Sequence, residues 1–178
     1  MSKCIFAGSF DPWHNGHEDR LLSALKIFDE VKITVGNNPK KSYWFNQKER
    51  VDLIKKATKK YGKKVEVIPS ENKMIHDICH DLKIYNVFRG VKAGRTLEEE
   101  LRLQVREKTF SKDTYNEELL FIYDITTEDD FRGSSIIKLL IQCEKNIDNY
   151  IPKEIAKDVL EKGQNILNIK GEYYDSSN

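Results

Sequence analysis

Apolar and polar positions along the chain switch repeatedly between the period of a strand and the period of a helix. Cys4-Ile5-Phe6-Ala7 is a short unbroken apolar run, the pattern of a strand covered on both faces. Leu21, Leu22, Leu25 and Phe28 then recur at helical spacing and predict a helix ending near Phe28. The β-branched stretch Val31-Lys32-Ile33-Thr34-Val35 reads as a second strand, closed by the turn residues Gly36-Asn37-Asn38-Pro39. Asn46, followed three residues later by Glu49, is a helix N-cap arrangement. The helix it opens carries Val51, Leu53, Ile54 and Ala57 and is expected to end at Gly62. Residues 65–68 form a third strand stopped by Pro69, and Met74, Ile75, Ile78, Cys79 and Leu82 form an apolar helical stripe.

A fourth strand is predicted over residues 85–88. Thr96 with Glu99 resembles a capping box for a helix that turns Leu97, Leu101 and Val105 inward. Residues 119–125 form a fifth strand, and 134–142 a short helix. Pro152 suits the first turn of a last helix carrying Ile155, Ala156, Val159 and Leu160, with Gly163 ending it. Residues 170–178 are polar and expected at the periphery. Five strands separated by helices predict an α/β fold: a parallel, doubly wound (Rossmann-like) sheet with helices on both faces and a C-terminal helical appendage. The expected organisation is one domain over residues 1–162 and a tail over 163–178. Ligands of such sheets bind beyond the carboxyl ends of the strands. That directs attention to the loops at 8–17, 36–45, 69–73, 89–95 and 126–133.

Composition narrows the partners. Thirty Lys+Arg against 29 Asp+Glu leave a formal charge of +1, so bulk charge does not argue for nucleic acid. The three cysteines, Cys4, Cys79 and Cys143, are too sparse for a disulfide framework. No apolar run approaches the ~20 residues of a membrane span, and the N-terminus lacks the apolar core of a signal peptide. The expectation is a cytoplasmic protein without membrane or nucleic-acid partners.

The candidate chemistry centres on Gly8-Ser9-Phe10-Asp11-Pro12-Trp13-His14-Asn15-Gly16-His17, a turn between the first strand and the first helix. Backbone amides and the positive end of the helix dipole converge at such a turn and favour a phosphate. His14 and His17 are placed to face one anion, and Gly16 lets it approach the backbone. Other loops add Lys40 and Lys41, then Arg89, Gly90, Lys92 and Arg95, then Arg132-Gly133-Ser134-Ser135 at another helix start. Cationic groups from separate loops meeting in one crevice suit a polyphosphate. Blander readings stand beside these. Lys40-Lys41 alone reads as a solvated pair, Glu98-Glu99-Glu100 as compensation of a helix dipole, and Ser134-Ser135 as N-caps. His76, Cys79 and His80 have a spacing compatible with zinc, but a packed helix is the better reading.

Gly8-Ser9-Phe10-Asp11-Pro12 followed by His14-x-Gly16-His17 resembles the signature of the HxGH nucleotidyltransferases. Gly133-Ser134-Ser135-Ile136-Ile137-Lys138 resembles their second motif. Within that superfamily the chain is most similar to the phosphopantetheine adenylyltransferases of coenzyme A synthesis. The segments Phe28-Asp29-Glu30-Val31, Asn38-Pro39-Lys40-Lys41, Phe45 to Arg50 and Phe88-Arg89-Gly90-Val91-Lys92 carry that similarity. The resemblance implies ATP and 4′-phosphopantetheine as substrates, dephospho-coenzyme A and pyrophosphate as products, Mg²⁺ on the phosphates, and a homo-oligomer, a hexamer by the family's habit.

It further implies that His17 stabilises the transition state and that Lys41 holds the acceptor phosphate. Ser9, Phe10, His14, Gly90, Lys92, Glu100, Ser134 and Ser135 would bind ATP, with Arg132 adding charge. Ser9, Met74 and Arg89 would contact the acceptor. The chain departs from the family pattern in several places. Arg132 and Gly133 stand where serine-motif residues are usual, Asp129 replaces an aromatic, and the stretch from Glu99 to Glu107 lacks the aromatic and asparagine contacts to the acceptor. His14 stands where these enzymes often carry threonine. Two alternatives follow: the same chemistry on another phosphomonoester (nicotinamide mononucleotide, or CTP with a polyol phosphate), or a nucleotide-binding protein without turnover.

Overall fold

The computed structural model describes residues 1–39, 41–92, 95–126 and 133–175, with backbone alone at 92, 95, 96 and 169–175. Among these residues five strands form one sheet: β1 (Lys3–Gly8), β2 (Glu30–Val35), β3 (Val65–Pro69), β4 (Asn86–Lys92) and β5 (Leu120–Thr126). All pair in parallel, in the order β3-β2-β1-β4-β5. The helices are α1 (Asn15–Leu25), α2 (Gln47–Thr58), α3 (Ile75–Leu82), α4 (Arg95–Tyr115), α5 (Ser134–Gln142) and α6 (Lys153–Asp175). The expected doubly wound sheet is present. No described helix is long and apolar enough to cross a membrane.

Successive side chains of a strand point to opposite faces, and β1 feeds two cores in this way. Cys4 and Phe6 join a large cluster with Leu21 of α1, Ile54 of α2, Ile137 of α5 and Ile155 of α6. Ile5 and Ala7 join a smaller one with Ile78 and Cys79 of α3 and Phe121 of β5. The predicted capping box of α2 is formed in full: Asn46 Oδ1 accepts from the Glu49 amide at 2.9 Å, and Glu49 accepts from the Asn46 amide at 2.8 Å.

Several expected boundaries move. α1 ends at Leu25, and α2 ends at Thr58 before a 3-10 stretch over Lys59–Lys64. Gly62 within that stretch has φ +57 and ψ −134, a turn open to glycine, and it redirects the chain into β3. Pro69 is the last residue of β3, tolerated because β3 is an edge strand. β4 runs on to Lys92, and α4 begins at Arg95, so Thr96 is not its N-cap.

Two corrections concern packing. Leu101 and Val105, expected inward on α4, are 47% and 65% exposed, whereas Glu107 and Ser111 are buried. The helix is turned by a buried pair: Glu107 Oε2 lies 2.8 Å from His76 Nδ1 and accepts the His76 amide at 3.2 Å. Gly163 does not end the last helix, which continues to Asp175. A Cβ there would lie 2.8 Å from Trp44 and 2.9 Å from Ile141, so the glycine lets α6 approach α5 and the loop before α2.

Candidate active site

β1 and β4 are neighbours from which the chain winds away in opposite directions, so a crevice opens at their carboxyl ends. Gly8 closes β1, and a Cβ there would sit 2.6 Å from the Phe10 ring. Phe10, at φ +49, turns its ring against Phe6 and His17, with centroids 5.3 and 5.0 Å apart. His14 is the N-cap of α1 with extended backbone and no side-chain cap; the Asn15 amide donates to Tyr150 O and the His17 amide to His14 O, each at 2.8 Å, so the helix faces the crevice through Gly16 and its dipole.

The rings of His14 and His17 stack at 3.6 Å between centroids. His17 also lies against Trp13 at 5.3 Å, and its Nδ1 has no hydrogen-bond partner among the described residues. Desolvation, then the neighbouring charges of His14, Arg20 and Lys41, hold its pKa well below the usual histidine range. Its resting state at neutral pH is therefore the neutral imidazole.

Lys41 forms the opposite wall, its Nζ donating to Ser9 Oγ at 3.4 Å. Two buried charges hold the two loops together. The Asp11 carboxylate accepts the amides of Trp44 and Phe45, each at 3.0 Å, and pairs with Lys138 of α5. The Arg50 guanidinium donates to Ser9 O at 2.6 Å, Gly36 O at 2.8 Å, Phe45 O at 3.1 Å and Asn37 Oδ1. Burial lowers the Arg50 pKa from its ordinary value.

The remaining walls come from β4 and α5. Arg89 donates to both oxygens of Glu100, at 2.5 and 2.7 Å, and to Ala7 O. Gly133, the N-cap of α5, supplies no side-chain cap, and Ser134 Oγ donates to Pro12 O at 3.0 Å. Two helix N-termini without side-chain caps thus open on one cavity of about 570 Å³.

Of the residues singled out in the sequence, Ser9, Phe10, His14, His17, Lys41, Arg89, Gly90, Glu100, Ser134 and Ser135 line this cavity together. Met74 does not; it is the N-cap of α3, beyond the edge strand β3. Lys40 and Arg132 lie outside the described residues, and so does the side chain of Lys92. His76 is committed to Glu107, while His80 stacks on Tyr115 at 3.9 Å and lies 3.1 Å from Glu117. Among the described residues no group of three or more His, Cys, Asp or Glu could hold a metal.

Sequence reasoning missed the roles of Arg20, Asp11, Arg50 and Lys138. Arg20 had a signal, since it follows His17 by three residues and so shares its helix face. The other three are tied by partners remote in the chain.

The cytidylyltransferase-like family profile matches residues 5–148. A phosphopantetheine adenylyltransferase of Lactobacillus gasseri is 33% identical over 165 residues, covering 93% of this chain and 96% of that protein. One from Wigglesworthia glossinidia brevipalpis is 36% identical over 160 residues, covering 90% and 92%. The chain belongs to the cytidylyltransferase-like family, among the phosphopantetheine adenylyltransferases. A solved Vibrio parahaemolyticus structure, assigned as a nicotinate-nucleotide adenylyltransferase, superposes with a TM-score of 0.62 at 15% identity, covering 90% of this chain and 99% of that one. That likeness speaks to the fold. The family match runs from β1 through α5, so every wall of the cavity falls inside it, and α6 lies beyond.

Proposed function

We propose that this protein transfers the adenylyl group of ATP to 4′-phosphopantetheine, giving dephospho-coenzyme A and pyrophosphate. The observation that carries the reading is the meeting of two helix N-termini without side-chain caps, His17 and the Ser9–Lys41 pair on one cavity. Family membership supplies the acceptor, since the relatives carry that activity in their name.

The cavity brings two anions together. The amides of α5 with Ser134 and Ser135 suit the triphosphate, and Ser9 with Lys41 suits a phosphomonoester. The acceptor phosphate has a second pKa of ~6, so at neutral pH it is largely dianionic and needs no protein base. One of its oxygens attacks the α-phosphorus in line. A new O–P bond forms while the bond from the α-phosphorus to the bridging oxygen breaks, and pyrophosphate leaves with that electron pair. Catalysis then consists of positioning and of stabilising redistributed charge. His17, neutral in the free protein, sits beside the α-phosphate position and donates an N–H to it. The arriving anions favour its protonated form as well, which strengthens that bond where charge develops.

Mg²⁺ fits this site as part of the substrate, on the phosphate oxygens. The two carboxylates lining the cavity are already engaged, Asp11 by two amides and Lys138 and Glu100 by Arg89. The chain's own groups here are mainly donors and suit the anion rather than a resident metal.

Initial rates of pyrophosphate release test the reading, with MgATP or MgCTP against 4′-phosphopantetheine, nicotinamide mononucleotide and glycerol 3-phosphate. Release from ATP that depends on phosphopantetheine supports it. Preference for another acceptor replaces it, and no release with any acceptor points to a nucleotide-binding protein without turnover.

A further inference from the structure

Arg20 lines the same cavity, yet neither phosphate site described above uses it. It lies on α1 three residues beyond His17, about 4.5 Å further along the helix from the amides at its N-terminus. Its side chain is only 12% exposed. A Cβ on Gly90 would lie 2.7 Å from Arg20 Cγ and 2.9 Å from Cδ, so the aliphatic stem lies flat on the backbone of β4. Beyond the stem, Nε is 3.6 Å from Oδ2 of Asp124, the β5 residue in register with Gly90. The glycine platform carries the stem, and the Asp124 carboxylate faces the guanidinium at ion-pair distance, without a hydrogen bond to it among the described residues.

The direction a donor nucleotide must take decides what this group meets. With the triphosphate on α5 and the acceptor phosphate on Ser9 and Lys41, the nucleoside has to leave the α-phosphorus along the remaining wall. Gly90, Val91 and Thr126 form that wall, and Arg20 is its cationic side chain among those described. We propose that Arg20, oriented by Asp124, reads the nucleobase of the donor. The inference rests on the adenylyl-transfer reading. A guanidinium offers in-plane N–H donors and a flat face, and no acceptor. It therefore suits a purine, whose N7 accepts and whose broad flat face stacks, better than the single ring of cytosine. Asp124 is a positioning residue here, acting through Arg20.

Calorimetric titration of ATP, GTP, CTP and inorganic tripolyphosphate into the wild type, Arg20→Lys and Asp124→Asn tests this. Arg20→Lys keeps the stem over Gly90 and the positive charge, but loses the planar fork. The expected result is roughly tenfold or greater weakening of ATP, with tripolyphosphate changed less than twofold, so that the preference for ATP over CTP narrows. Asp124→Asn should give the same pattern at smaller size. Equal weakening of all four ligands would make Arg20 a phosphate clamp and overturn the proposal. An ATP affinity unchanged within about twofold in folded Arg20→Lys would make it a structural residue and overturn it too. A wild type that binds none of the nucleotides would defeat the adenylyl-transfer reading itself, and this inference with it.

Discussion

Replacing Arg50 with methionine tests how the loops of Ser9 and Lys41 are held. Arg50 is 1% exposed, and its guanidinium serves three backbone carbonyls, of Ser9, Gly36 and Phe45, together with the Asn37 side chain. Its cation also lies 4.3 Å from the Tyr43 ring. Methionine keeps most of the buried stem and removes every donor. Each carbonyl left without a partner costs about 1–3 kcal/mol, offset in part because a charge no longer has to be desolvated. Taking the lower figure for the carbonyls and a further contribution from Asn37, the net loss is about 3–5 kcal/mol, a large share of a typical domain's 5–15 kcal/mol.

In urea, with a slope of about 2 kcal/mol per M, the midpoint should fall by about 1.5–2.5 M with the slope unchanged. Arg50→Lys, which keeps the charge but cannot span all four acceptors, should fall between. A midpoint within about 0.5 M of wild type for Arg50→Met would refute this account of how the Ser9 and Lys41 loops are fastened together.

The other predictions concern single side chains. His17→Ala should lower kcat by ~10²-fold or more with little change in ATP affinity, and an unchanged kcat would remove His17 from the mechanism. His17 also predicts a pH effect on folding. Its folded pKa lies below the unfolded value near 6.5, so the unfolded chain binds the proton first. Its contribution is therefore neutral above about pH 6.5, and stability is lost as pH falls below it, by at most about 1.4 kcal/mol per unit. Urea titrations between pH 7 and 5 should show a smaller acid loss in His17→Gln than in wild type; equal losses contradict the buried neutral ring. Lys41→Ala should raise the acceptor KM about tenfold or more and leave ATP binding within about threefold. Comparable loss of both would move Lys41 out of the acceptor site. Burial pushes the thiols of Cys4 and Cys79 up to about 12, while Cys143 is exposed. Native protein should take one iodoacetamide, at Cys143, as read by peptide mass; rapid labelling of either other cysteine contradicts the packing.

Most of the sheet was legible because burial on both faces leaves an unbroken apolar run in Cys4–Ala7, and because β-branched residues crowd Val31–Val35 around Lys32. The candidate site was legible where its residues are local, since a helix start places His14 and His17 on one face within a single turn. The inward face of α4 was not, because it is polar. Glu107 is buried against His76, 31 residues away, and apolar periodicity carries no trace of that pair. Gly163 has the look of a helix stop, and only the nearness of Trp44 and Ile141 shows it to be a packing position. Asp11 and Lys138, 127 residues apart, meet only because the sheet brings α5 over the first loop. Arg20 needed both kinds of information: the helix face was in the spacing, while the glycine platform and Asp124 belong to the fold.

The central claim is that an acceptor phosphate oxygen attacks the α-phosphorus of ATP inside this cavity. The most direct test is to incubate the protein with MgATP and 4′-phosphopantetheine carrying ¹⁸O throughout its phosphate, and to weigh both products. Direct adenylyl transfer predicts dephospho-coenzyme A retaining all of the label, with unlabelled pyrophosphate. Label in the pyrophosphate, or no dephospho-coenzyme A, would contradict it.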